Sequence, residues 1–153
     1  MSSVGESIVN DPSFKIFAWW TAVLVLKMLL MAPLIGRHRF GKRIFISPED
    51  TTWIPGSKVS TTDPDIERVR RAHLNDLESI LPWVMSTTLW LTTSPDPARA
   101  AFLIKTFGIC RLIHTFVYAV CPLPQPARLL SFGGGILVTL YQTLSTICHY
   151  TRM

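Results

Sequence analysis

Four long apolar runs, parted by short polar stretches that contain proline, constrain this chain more than any other feature it has. A hydrocarbon core of about 30 Å takes about 20 helical residues to cross, and the runs are of that order. The reading is an all-α membrane protein, a bundle of four transmembrane helices in a single domain covering 1–153. The helices are expected over about 14–36, 64–92, 98–120 and 127–150, with an extramembrane loop over about 37–63. The basic residues Arg37, His38, Arg39, Lys42 and Arg43 sit at the leading edge of that loop, which places it on the cytoplasmic side. The first run has no basic stretch before it and Glu6 and Asp11 near it, so it is expected to stay as an anchor rather than be cleaved.

The net charge of +5 is not arranged for nucleic acid. The basic residues adjoin apolar runs instead of striping a soluble face among exposed aromatics, and no nucleic-acid partner is expected. The cysteines Cys110, Cys121 and Cys148 form no CxxC pair. Neither a disulfide framework nor a metal site is indicated.

The second span is the informative one. Its purely apolar part, about Ile80 to Leu91, is too short to cross a bilayer. The helix must therefore continue upstream through a charged stretch, Ile66 to Glu78. At 100° per residue Arg68, Arg71, Asn75 and Glu78 share one face, and Val69, Leu74, Leu77, Ile80 and Leu81 cover much of the other. In the third span Arg111, His114, Thr115 and Tyr118 fall on one stripe. Two spans thus present polar faces that can meet. Lys27, well inside the first run, is either a counter-ion within the bundle or a snorkelling boundary residue. The five tryptophans read as interface anchors or as packing.

Charges inside a bundle cost roughly 2.5–3.5 kcal/mol each, so several together imply pairing, water or an anionic ligand. One reading is a salt-bridge network, Arg71 with Glu78 or Asp76, that only locks helices. The other starts from the surplus of arginine at one end: Arg39, Arg68, Arg70, Arg71, Arg111 and Arg128. Arginine's fork matches carboxylates, while Glu78 and Asn75 could receive an ammonium and a peptide group. That pattern describes a small zwitterionic, net-anionic peptide. His73 fits an interface as well as a ligand contact; His114 and Tyr118, on the polar stripe, lean towards the ligand.

The stretch Glu67-Arg68-Val69-Arg70-Arg71-Ala72-His73-Leu74-Asn75-Asp76-Leu77-Glu78, followed by Ile80 and Pro82, resembles the hallmark helix of the MAPEG family, the membrane-associated proteins of eicosanoid and glutathione metabolism. Ser47-Pro48-Glu49-Asp50, the segment Arg111 to Tyr118 and the segment Pro122 to Phe132 resemble its glutathione transferase branch. The resemblance implies a homotrimer in the endoplasmic reticulum membrane, with the mitochondrial outer membrane as the other candidate. It implies glutathione as co-substrate, held between subunits by Arg39, Arg70, Arg71, His73, Asn75, Glu78, His114, Tyr118 and Arg128, with no metal. Arg128 would stabilise the thiolate, which would attack lipophilic electrophiles or lipid hydroperoxides drawn from membrane lipid. Thr51 stands where vertebrate members carry an activating cysteine. The alternatives are a glutathione-dependent isomerase like the prostaglandin E synthase branch, or a non-catalytic regulatory relative. Asp50 and Arg128 match the isomerase branch; Leu74, Leu129 and Phe132 depart from it.

Overall fold

A computed structural model describes residues 10–152. The residues around Glu6, on which the expectation of an uncleaved N-terminus partly rests, lie outside that range. Helix α1 spans Pro12–Lys42, α2 Pro64–Leu91, α3 Pro97–Thr115 and α4 Ala127–Thr151. The first three start alike: Asp11, Asp63 and Asp96 each accept hydrogen bonds from backbone amides of the first turn, with proline immediately after. Aspartate satisfies an amide that the helix leaves unpaired, and proline has no amide to leave unpaired.

α1 runs six residues beyond its expected end at 36, so Arg37, His38 and Arg39 belong to the helix and not to the loop. Pro33 costs one backbone donor, but the turns on either side hold. Arg39 and Lys42 in the last turn face the carbonyl end of the helix dipole favourably. At 31 residues the helix is about 46 Å long, longer than a hydrocarbon core is thick. It stops where Arg43 adopts the left-handed conformation, φ 55°, and turns its amide onto the Arg39 and Phe40 carbonyls. The connection to α2 holds a two-residue parallel pair, β1 (Ile44–Phe45) with β2 (Lys58–Val59), and a 3₁₀ turn at Pro48–Thr52. Beyond α3 the chain widens into a π turn, Phe116–Val120, that carries Tyr118. A proline-rich link with a cis Gln125–Pro126 bond then leads to α4.

α1 and α4 lie on opposite sides, each packed against both α2 and α3. Two glycines set the close approaches. A Cβ at Gly108 of α3 would lie 2.0 Å from Cε3 of Trp20, so the indole of α1 sits directly on the α3 backbone. A Cβ at Gly134 of α4 would lie 2.8 Å from Sγ of Cys110. Small residues at helix contacts are how bundles gain van der Waals contact where lipid removes most of the hydrophobic drive.

The interior is layered. A large apolar cluster contains Phe17, Leu24, Ile80, Trp83, Ile104 and Phe107, with Trp83 stacked on Phe107 at 4.3 Å. A smaller one contains Met31, Val69, Ala72 and Ala119. Between them in sequence on each helix lie buried polar residues: Lys27 on α1, Asp76 on α2, and Arg111, His114 and Thr115 on α3. Trp83 and Trp90 are therefore core residues, whereas Trp53 is 87% exposed. Leucines and phenylalanines such as Leu29, Leu30, Leu81, Phe102, Leu130 and Leu137 face outward. Among the described residues two helical stretches, Pro12–Lys42 and Pro97–Val120, are long and apolar enough to cross a membrane. The charged first half of α2 accounts for its failing that test.

Candidate functional site

The buried polar layer is an ion cluster. Asp76, fully buried, pairs with Lys27 of α1 and accepts from Nη2 of Arg111 at 2.5 Å. Its second oxygen receives a long bond, 3.5 Å, from the Thr115 hydroxyl. Lys27 is therefore a counter-ion inside the bundle. Nη2 of Arg111 also donates to Oδ1 of Asn75 at 2.9 Å and lies 3.5 Å from Nδ1 of His114. The polar faces of the second and third helices do meet, through Asn75 and Arg111. Arg71 is exposed and pairs with neither Asp76 nor Glu78 within the chain, so the expected lock is replaced by Lys27–Asp76–Arg111. Arg111, counted by sequence among the surplus cations, is instead neutralised by Asp76.

This cluster backs onto a cavity of about 330 Å³ between α2, α3 and α4. Asn75, Glu78 and Arg111 supply its polar edge; Pro82, Phe107 and Phe132 supply much of its apolar wall. A site with a few convergent polar groups on an apolar wall is the usual form of a small-molecule pocket.

Of the nine binding residues expected from sequence, Asn75 and Glu78 border the cavity. A further three form a line beside it. The guanidinium carbon of Arg128 lies 4.8 Å over the Tyr118 ring, within cation–π range. Tyr118 meets His114 edge-on at 5.5 Å, and His114 lies 6.1 Å from Phe132 on the cavity wall. The π turn is what carries Tyr118 round to this line, and the first turn of α4 carries Arg128. The buried Nε of Arg128 has no acceptor among the described residues.

The remaining four do not border that cavity. Arg39 lines a separate one with Asp50 and Trp53, and its buried Nε lacks an acceptor among the described residues. Arg70 pairs with Glu67 at 3.3 Å one turn away and is otherwise exposed. Arg71 is exposed, and His73 is half-buried with Nδ1 unpartnered among the described residues. Thr51 uses its hydroxyl to donate to the Pro48 carbonyl at 2.6 Å, a bond back onto the backbone of its own 3₁₀ turn. The three cysteines are free, and no cluster of metal-ligating side chains occurs among the described residues.

Asp76 and Lys27 are the residues that sequence left out of the site. The available signal was the presence of opposite charges in two apolar settings, each of which had to face a partner.

The profile of the MAPEG family matches residues 17–148, nearly the whole described chain. The chain belongs to the MAPEG family. It is 39% identical to microsomal glutathione S-transferase 1 of Homo sapiens over 137 residues, covering 87% of this chain and 88% of that protein. The same protein of Bos taurus is 37% identical over 144 residues, 92% of each. Prostaglandin E synthase of Bos taurus is 34% identical over 152 residues, 99% of each. The MAPEG assignment makes this a membrane-associated protein of a family that includes glutathione transferases.

Proposed function

We propose that this MAPEG protein is a membrane-bound glutathione S-transferase that directs the thiolate of glutathione onto lipophilic electrophiles. The observation that carries the reading is Arg128, stacked on Tyr118 beside His114 and the cavity, with Nε buried and without an acceptor. A free thiol of pKa about 8.5 is mostly protonated near neutrality, and a neighbouring cation raises the thiolate fraction. The sulfur bonds to the electrophilic carbon, and the leaving group departs with its electron pair. Positioning and charge stabilisation supply the rate without a metal.

In this reading all four helices span the endoplasmic reticulum membrane and three copies assemble, so that one subunit's exposed arginines meet the next subunit's cavity. Arg39, Arg70 and Arg71 take the carboxylates of the tripeptide; Glu78 takes its ammonium. The support is that these side chains do not converge within one chain, while Arg70, Arg71 and Glu78 are exposed at its surface. Lipid hydroperoxides are the second substrate class. One glutathione cleaves the O–O bond, giving the alcohol and an oxidised sulfur, and a second closes the disulfide with loss of water.

The prostaglandin E synthase of Bos taurus, which matches end to end, favours an isomerase as the second reading. The deciding experiment compares wild type with Arg128→Ala in detergent, following the thiolate absorbance of bound glutathione and its conjugation to a chlorinated nitrobenzene. Loss of both in the variant supports the transferase. Tight binding by wild type with neither thiolate nor turnover would sink it in favour of a non-catalytic protein; turnover of an endoperoxide alone would favour the isomerase.

A further inference from the structure

Asn75 sits between the buried ion cluster and the cavity, in contact with both. Its carboxamide can be turned either way, with oxygen or nitrogen towards the interior. Arg111 removes that choice. A guanidinium carries five N–H donors and no acceptor, so the Asn75 atom that lies 2.9 Å from Nη2 has to be the oxygen. The two ends of a planar amide diverge, so the NH₂ group is left for other partners and the oxygen is occupied.

What holds Arg111 in place is Asp76. Arg111 is 1% exposed and Asp76 fully buried, with the pair at 2.5 Å and Lys27 closing the cluster from α1. Without the carboxylate, two cations would share one buried layer and repel. The guanidinium would then lose its anchor, and with it the fixed orientation of Asn75.

We propose that Asp76 is a positioning residue for ligand recognition: by clamping Arg111 it commits Asn75 to present N–H donors to the cavity, where they meet a carbonyl or carboxylate oxygen of glutathione. The proposal rests on the glutathione reading above. Glu78, three residues along α2 and on the same cavity edge, offers only acceptors when ionised. The edge is thus polarised, donor at 75 and acceptor at 78, to suit a zwitterion in one direction.

The test measures glutathione affinity by calorimetry, and KM and kcat by conjugation, on the full-length protein in detergent. Wild type is compared with Asn75→Asp, Asp76→Asn and the double variant. Asn75→Asp keeps an oxygen for Arg111, so its melting midpoint stays close to wild type. It has no N–H to offer, so Kd and KM for glutathione rise by roughly tenfold or more while kcat changes little. Asp76→Asn also raises KM, and in the Asn75→Asp background it adds less than about twofold, because the two act by one route. Should Asp76→Asn not assemble, Arg111→Met replaces it with the same expectation, because it too releases the Asn75 oxygen while Lys27 still neutralises Asp76. Glutathione affinity of Asn75→Asp within about twofold of wild type, or multiplicative effects in the double variant, overturns the inference. Failure of wild type to bind glutathione would instead overturn the functional reading on which it rests.

Discussion

Replacing Gly108 with alanine should destabilise the bundle, although alanine is the better helix former. The added Cβ would stand 2.0, 2.4 and 2.7 Å from Cε3, Cζ3 and Cδ2 of Trp20. Carbon atoms in contact keep about 3.5–4.0 Å, so the shortfall is about 1.5 Å against a rigid ring. Either the indole leaves its seat or α1 lifts from α3. Overpacking of this kind costs about 3 kcal/mol at the upper end of its usual range. Alanine returns about 1 kcal/mol of helix propensity, leaving a net loss of about 2 kcal/mol. For a chain of this size that lowers the melting midpoint by roughly 4–8 °C. The effect reaches the ion cluster as well, because Lys27 lies two turns beyond Trp20 on the same face of α1, and Arg111 one turn beyond Gly108 on α3. The assay is thermal unfolding of Gly108→Ala in detergent, repeated in a Trp20→Ala background. With the indole gone only propensity remains, and the substitution should become mildly stabilising. An unchanged midpoint in the first case, or an equal loss in both backgrounds, would refute the contact argument.

Two further outcomes follow from other contacts. Thr87 donates to the Gln142 side chain at 2.9 Å, both fully buried; Thr87→Val should cost about 1–3 kcal/mol by stranding the amide, and adding Gln142→Leu should restore most of the lost melting temperature. Lys42 at the end of α1 holds Asp63 and Asp65 at the start of α2, at 2.8 and 2.5 Å. Hydrogen bonds to Asp63 and then Asp65 raise Lys42 above its usual 10.5, and the bond from Lys42 lowers both carboxyls below 3.8. The carboxylates therefore contribute stability in full above their unfolded value and lose it as pH falls through their lower folded values. The lysine contributes below 10.5 and loses it as pH rises through its raised value. In acid titrations followed by circular dichroism, Lys42→Met should lose less stability than wild type below pH ~4, and added salt should narrow the difference.

Much of the architecture is legible in the residues themselves. Aspartate–proline pairs at 11–12, 63–64 and 96–97 mark helix starts because the cap chemistry is local. The charged extension of α2 follows from counting residues against membrane thickness. Pro33 and Gly36 have local preferences that favour a helix stop near 36, but a helix already supported by its neighbours tolerates both, and α1 runs on to Lys42. The π turn that aims Tyr118 leaves no period in the sequence to detect.

By itself the sequence determined a four-helix membrane-associated chain, its family, and the stretches on α2 and α3 where polar groups gather. The helices and polar stretches rest on composition and spacing, which act over a few residues; the family rests on the resemblance of the Glu67 to Glu78 stretch. Which buried charge meets which was decided only by the tertiary structure. Asp76 had Arg71 as a near cation along α2, yet it pairs with Lys27, 49 positions earlier, and with Arg111, 35 later. The choice depends on how deeply Trp20 seats on Gly108 and so on the register of α1 against α3. Packing of that kind is a property of three helices at once, and no single stretch of residues encodes it.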